Sequence, residues 1–126
     1  MITRVQDVYY NVQDMKRAVR FYSEVLGMKV LDTNDWWTSL EIGGTHIGLH
    51  GDGPNSKPVP IVPRDAHGAH AGATLTLYST NIKEDGDHLR DVGIKILGEF
   101  DEQWGKLVVF EDTEGNVLKL MQPNAG

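Results

Sequence analysis

The sequence contains no cysteine. This absence excludes disulfide bonds, thiolate nucleophiles and thiolate metal sites, so any chemistry must use oxygen and nitrogen groups. No apolar run approaches the roughly 18 residues that a membrane-spanning helix needs. The amino terminus also lacks a basic segment followed by an apolar stretch. We therefore expect a cytoplasmic protein that makes no membrane contact.

Positive charge is scarce as well. Twelve Lys and Arg residues face eighteen Asp and Glu residues, which gives a net charge of −6, and the basic residues are scattered along the chain. Without a basic stripe, nucleic acid is not an expected partner. The 126 residues, 40% of them hydrophobic, suit one ordinary core rather than two, so we expect a single domain over residues 1–126.

What the sequence does contain is an internal repeat. Asp7 and Thr74 are 67 positions apart, as are Asp14 and Asn81, while Gly27 and Gly93 are 66 apart. Each copy opens with the alternation of a half-buried strand, continues with an amphipathic stretch and closes on glycine. The repeat predicts two modules of similar structure.

Each module is predicted to have the order βαβββ, an α+β fold. Asp14 and Asn81 are typical N-caps, Asn81 with Glu84 as a capping box, and the glycines end the helices. The predicted helices are 15–26 and 82–92, and the strands that follow them are 28–31, 36–42, 45–50, 94–99, 107–111 and 117–121. Module 1 is thus predicted at about 1–51 and module 2 at about 72–126. The proline- and glycine-rich residues 52–71 between them are interpreted as a connector, with a lid over a site as the alternative.

Residues 11–28 and 110–118 closely resemble the glyoxalase, bleomycin-resistance and extradiol-dioxygenase group, the vicinal oxygen chelate superfamily. The resemblance depends on Phe21-Tyr22 with Leu26-Gly27, and on Phe110, Asp112 and Gly115-Asn116 at their spacing. It implies that the two βαβββ modules curl into one cupped mixed β-sheet, and that the protein is a homodimer. The fold hosts many activities, so the resemblance does not imply one of them.

In the enzymes of this superfamily, His and Glu ligands from the opening and closing strands of each module hold a divalent metal. The matching positions here are Asp7, Gly48, Thr74 and Lys119. Glycine has no side chain and a lysine ammonium repels a cation, so the usual metal site is expected to be lost and no cofactor is expected. A weak divalent site that joins Asp7 to His46 or His50 is the alternative.

Alternation places several candidate residues on the concave face of the cup. Tyr9, Thr74, Thr76 and Met121 are predicted to contact a ligand, and Trp37 and Trp104 to stack on it, because aromatic faces offer large contact areas. Lys119 is expected to hold an acidic group, with Asp7 or His50 as a proton acceptor. An ion pair of Asp7 with Lys119 inside the sheet is an equally open interpretation.

The leading hypothesis is therefore a metal-free protein that binds a small organic molecule, similar to the antibiotic-sequestering proteins of the superfamily. Two enzyme alternatives stay open. One is a metal-dependent lyase or dioxygenase with a displaced site, and the other is a metal-free isomerase that uses Asp7, His50 and Lys119 as catalytic residues. A purely structural or partner-binding module is a third.

Overall fold

The computed structural model describes residues 1, 3–51, 53 and 73–124. They form two compact units, each with one four-stranded mixed sheet and a helical segment, which confirms the two βαβββ modules. The predicted connector, 52–71, lies outside the described residues except for Gly53, and so does the choice between a connector and a lid. No helix among the described residues is long and apolar enough to cross a membrane.

The first unit follows the predicted order of elements. It consists of β1 (Val8–Asn11), α1 (Met15–Arg20), a π-helical segment (Phe21–Val25), β2 (Lys29–Thr33), β3 (Trp37–Ile42) and β4 (Thr45–His50). The strands lie in the order β1-β4-β3-β2, with β1 parallel to β4 and the other pairs antiparallel. Strand β4 is therefore central, between β1 and β3.

The two faces of this sheet differ in burial. Leu40, Ile47 and Leu49 are fully buried, and α1 packs against β4. Because successive side chains of a strand point to opposite faces, Trp37 and His50 lie on the face away from this core. Burial of one face thus leaves the other available to solvent or ligand.

The first helix differs from its prediction as a single α-helix over 15–26. The α-helical part ends at Arg20, and the N–H of Leu26 donates to the carbonyl of Phe21, five residues back, at 3.0 Å. The Ser23 hydroxyl donates to the Val19 carbonyl at 2.6 Å, competing with the backbone for that acceptor and favouring the wider turn. The predicted end at Gly27 is confirmed by its φ of +80°.

The second unit repeats the order of the first. Its elements are β5 (Leu75–Tyr78), α2 (Ile82–Asp91), β6 (Ile96–Glu102), β7 (Gly105–Glu111) and β8 (Val117–Pro123), with the strand order β5-β8-β7-β6. Strands β6 and β7 are longer than predicted, because Glu102 pairs with Gly105 and closes a tight hairpin. The sequence predicted the end of β6 at residue 99, but an edge strand tolerates polar side chains, so it continues to Glu102.

Both predicted N-caps are confirmed. Asp14 Oδ1 accepts from the N–H of Arg17 and Asn81 Oδ1 from that of Glu84, each at 3.1 Å. The predicted capping box is only partly formed. The Glu84 carboxylate bonds to the Asn81 side-chain amide, while the backbone N–H of Asn81 donates to the Ser79 hydroxyl, which lies closer along the chain.

Candidate functional site: an aromatic corner on the first sheet

Three aromatic side chains meet on the face of the first sheet away from α1. The ring centroids of Tyr9 and Trp37 are 5.5 Å apart, those of Tyr9 and His50 5.8 Å, and those of Trp37 and His50 6.3 Å. The Trp37 plane is tilted by 66° from Tyr9 and by 75° from His50, whereas Tyr9 and His50 differ by only 38°. We call this group the aromatic corner, with Trp37 as one wall and Tyr9 with His50 as the other.

Strand register explains why these three residues meet. Across the sheet, Tyr9 on β1 pairs with Gly48 on β4, and Trp37 on β3 pairs with His50 on β4. All three predicted candidates therefore lie around the central strand on one face. The corner is open, since Tyr9 is 52% exposed and His50 is exposed, with Trp37 half-buried.

Gly48 makes the position of Trp37 possible. A Cβ atom at residue 48 would overlap Cη2 and Cζ2 of the indole and would lie 2.9 Å from Cβ of Tyr9. The indole therefore lies over the backbone of β4 where any other residue would place a side chain. Its Nε1 donates to the Ser39 hydroxyl at 2.9 Å, which fixes the ring along the Ser39–Gly48 pair.

The structure does not place Asp7 and His50, two of the three candidate catalytic residues, side by side. His50 pairs with Asn11, four residues after Asp7, so the two backbones are about 13 Å apart along the strand. His46 lies nearer the Asp7 end of the sheet, opposite Glu41, whose carboxylate accepts from the N–H of Gly44 at 2.7 Å. Their proposed roles stay predictions, without a shared site for Asp7 and His50.

The remaining candidates lie on the second sheet. Thr76 pairs with Lys119, and Lys119 pairs with Val109, so Lys119 occupies the position in β8 that Gly48 occupies in β4. Thr74 lies just before β5 and shares the side of Thr76, and Met121 shares that of Lys119. Asp7 and Lys119 belong to different compact units, so their ion pair stays a prediction.

Trp104 does not lie within a strand. It occupies the turn between β6 and β7, is 49% exposed, and its carbonyl accepts from the N–H of Asn124 at 3.1 Å. Gly105, the next residue, pairs with Pro123, four residues beyond Lys119 on β8. Its predicted stacking role is untested, and the structure places it away from the Thr76–Lys119 pair on that sheet.

The profile of the Glyoxalase/Bleomycin resistance protein/Dioxygenase superfamily matches residues 4–120, nearly the whole chain. The chain belongs to this superfamily. Its two repeated βαβββ units are the arrangement that the resemblance implied.

Similar proteins within the superfamily differ in activity. The metallothiol transferase FosB of Staphylococcus saprophyticus is 24% identical, over 95% of this chain and 77% of that protein. The crystal structure of TnmS3, an antibiotic binding protein from a Streptomyces species, has a TM-score of 0.72 and 25% identity, covering 98% of each chain. That of the fosfomycin resistance protein FosX from Listeria monocytogenes has a TM-score of 0.74 at 13% identity, covering 98% of this chain and 96% of that one.

The superfamily's divalent metal does not fit the residues at its expected positions. Gly48 offers no side chain, and the Trp37 indole covers the space that a ligand side chain would enter. Lys119 places an ammonium at the equivalent position of the second unit. Among the described residues, no three His, Asp or Glu side chains are grouped so that they could hold a metal ion.

Sequence reasoning treated Gly48 only as a missing ligand and missed its contact with Trp37. The available signal was the hairpin spacing, because residues 39 and 48 flank the Gly43-Gly44 turn at equal distance. It also missed an apolar row across the second sheet. Paired residues on successive strands place these four side chains on one face: Tyr78, Met121, Leu107 and Phe100.

Proposed function

We propose that this chain binds a small organic molecule at the aromatic corner and does so without a divalent metal. The observation that carries the proposal is the contact of the exposed Tyr9 and His50 with the half-buried Trp37, which lies over Gly48. A cluster of solvent-exposed aromatic side chains is typical of a binding surface, because a ligand that covers it removes apolar area from water. The likeness to an antibiotic binding protein supports the same ligand class.

The enzyme alternatives receive less support from the structure. The metal-free isomerase requires Asp7 and His50 to act on one molecule, but the register separates them by about 13 Å. The displaced metal site joins Asp7 to His46 or His50, yet among the described residues no three His, Asp or Glu side chains are grouped so that they could hold a metal ion. Neither alternative makes use of the contact between Trp37 and Gly48. We therefore retain ligand binding as the single proposed function.

The proposal is tested by thermal-shift screening of small organic molecules, including antibiotics, against protein purified without added metal. A ligand that binds the native state must raise the melting temperature. We expect a saturable shift that is lost in Trp37→Ala and kept in Trp36→Ala, a matched control whose indole lies against Gly53 instead. A shift of equal size in Trp37→Ala would contradict the assignment to the corner.

The same protein tests the absence of a metal. Elemental analysis should find no stoichiometric divalent ion, and titration with Mn, Fe(II), Co, Ni or Zn should leave the melting temperature unchanged. A saturable metal-dependent rise that Asp7→Ala abolishes would overturn the metal-free proposal and direct attention to lyase and dioxygenase substrates.

We also propose that the protein acts as a homodimer, as expected from the superfamily. Static light scattering at micromolar concentration should give twice the mass of the 14.0 kDa chain. A monomer mass would contradict this.

A further inference from the structure

The shape and charge of the aromatic corner narrow the class of ligand. Resting on the proposed function, we infer that the corner selects a planar conjugated molecule that is uncharged or cationic, and that Gly48 is the residue that determines this selectivity. The angles between the rings, the charges around them and the space at residue 48 each support this selectivity.

The ring geometry favours a flat ligand. Centroid separations of 5.5 to 6.3 Å mean that the three rings touch one another, so no gap between them can enclose a globular group. Two walls that meet at 66° and 75° instead offer one face for stacking and a second face for an edge. A planar ring that stacks on one wall presents its edge to the other, which satisfies both preferred aromatic geometries.

The charges disfavour an anion. Strands β1, β3 and β4, which carry the corner, contain no lysine or arginine. On the same face, Glu41 lies opposite Lys29 of β2, whereas Asp7, two residues before Tyr9, has no cation on these three strands. The indole N–H of Trp37 is already donated to Ser39 and cannot serve a ligand carboxylate. Aromatic faces are electron-rich and attract cations. A flat cation or a neutral flat molecule therefore suits the corner better than a flat anion.

Gly48 keeps the corner in this form. Alanine at residue 48 would place its Cβ into the indole and against Tyr9, so Trp37 must move. Alanine at Gly86 is the matched control, because its Cβ would lie 3.6 Å from Arg90 and 3.7 Å from Val108, in ordinary contact. The two substitutions add the same atom, but only the first alters the corner.

The experiment compares three probes by isothermal titration calorimetry at pH 8. Proflavine is a planar cation, anthraquinone sulfonate a planar anion and amantadine a globular cation. We expect proflavine to bind at least about tenfold more tightly than either of the others, the factor that corresponds to about 1.4 kcal/mol. Gly48→Ala and Trp37→Ala should each weaken proflavine binding at least about tenfold, while Gly86→Ala should leave it unchanged.

The outcomes separate this inference from the proposed function. Equal or tighter binding of amantadine or of the sulfonate, lost in Trp37→Ala, would overturn the selectivity but keep small-molecule binding at the corner. Unchanged proflavine affinity in Gly48→Ala would overturn the role of Gly48. Failure of all three probes would overturn the inference, while the thermal-shift screen judges the proposed function. Near-UV circular dichroism checks that Gly48→Ala folds. If it does not fold, the selectivity of the corner is still tested by Trp37→Ala and by the ranking of the three probes with the unaltered protein.

Discussion

At the scale of the residue, the turn between β7 and β8 depends on one buried carboxylate. Asp112 is 5% exposed, and its Oδ1 accepts from the N–H groups of Glu114 and Asn116, each at 2.8 Å, while Oδ2 accepts from the Asn116 amide at 3.0 Å. Asp112→Ala leaves these donors without their acceptor, so we expect the free energy of unfolding to fall by about 3 kcal/mol. Urea denaturation measures the loss.

The neighbouring Thr113 provides the control for this substitution. Its partly buried hydroxyl donates to the Glu114 carboxylate in the same turn, at 2.8 Å, and loss of this one bond in Thr113→Ala should cost less than about 1 kcal/mol. Equal losses for Asp112→Ala and Thr113→Ala would show that the carboxylate does not organise the turn.

The sequence predicted on which face of the first sheet the candidate side chains lie, but it did not predict which of them are in contact. Alternation placed Tyr9, Trp37 and His50 on one side of the sheet, because a strand has a period of two. Alternation does not predict that the Trp37 ring lies over Gly48, because the side-chain rotamer of Trp37 depends on the space that Gly48 leaves across the hairpin. Gly48, which in the sequence looked like a lost metal ligand, leaves the space that the Trp37 ring occupies in the structure.

At the scale of the element, the β7–β8 pairing depends on the absence of a side chain at Gly105. Its φ is +146°, and a Cβ there would lie 2.5 Å from the Gln122 carbonyl oxygen and 2.8 Å from the Pro123 Cα. Both are backbone atoms that cannot move without disturbing the ladder. We expect Gly105→Ala to destabilise the fold by about 2 kcal/mol or more.

Gly86→Ala is again the matched control for Gly105→Ala. It lies inside α2 with space for the methyl group, so it should stabilise the protein by up to about 1 kcal/mol. Thermal unfolding followed by circular dichroism distinguishes the two. A gain in melting temperature for Gly105→Ala would contradict the packing described at this strand end.

Helix α2 carries a charged surface network that predicts a pH effect. Lys83 Nζ lies 2.9 Å from the Asp87 carboxylate, whose other oxygen lies 3.4 Å from Arg90, and Arg90 also pairs with Glu99. The hydrogen bond and charge of Lys83 hold the pKa of Asp87 below its ordinary value of 3.8. Since the folded state binds this proton less readily, the stabilisation is present above the ordinary pKa and is lost as pH falls through the lowered one.

NMR titration of the carboxyl carbon tests this network directly. In Lys83→Ala the pKa of Asp87 should rise towards 3.8, whereas Lys16→Ala, in the first unit, should leave it unchanged. The group is exposed, so the shift should also shrink in about 1 M salt. An unaltered pKa in Lys83→Ala would show that the pair does not persist in solution.

The order of helices and strands, which the internal repeat indicated, was predicted accurately, whereas the ends of individual elements were predicted less well. The caps at Asp14 and Asn81 and the terminating glycines were found because each has a specific local chemistry. The π-helical segment was missed, since Ser23 gives no periodic signal of its hydrogen bond to Val19. Edge strand β6 was predicted too short because its last residues are polar.

At the scale of the whole molecule, the two units share a fold but not their chemistry. The register makes Gly48 and Lys119 equivalent, because each pairs with the second residue of the first strand of its own module, Tyr9 of β1 or Thr76 of β5. The resemblance to the superfamily predicted this equivalence, although Gly48 and Lys119 are 71 positions apart rather than the 66 or 67 of the other landmarks. It could not predict the function, since the superfamily fold supports many activities and the residues at equivalent positions have diverged.

This divergence leads to a prediction about metal binding. Lys119→Glu restores a carboxylate at the position where the superfamily enzymes place a metal ligand, yet the other matching positions still hold Asp7, Gly48 and Thr74. The variant would then offer two carboxylates and one neutral hydroxyl at these positions and no histidine, a weaker donor set than the four His and Glu ligands of the superfamily enzymes. We therefore expect no saturable shift in melting temperature with Mn, Co, Ni or Zn below about 1 mM, in line with the ligand-count dependence of affinity.

The matched control is Lys106→Glu, which makes the same charge change at an exposed position on β7. Both variants should respond to divalent ions alike, through non-specific attraction to an acidic surface. A saturable stabilisation of Lys119→Glu that Lys106→Glu lacks would mean that the ligand set was broken at one position only. In that case the metal-free proposal would hold for the natural chain, but the reason for it would be Lys119 alone rather than the aromatic ring seated on Gly48.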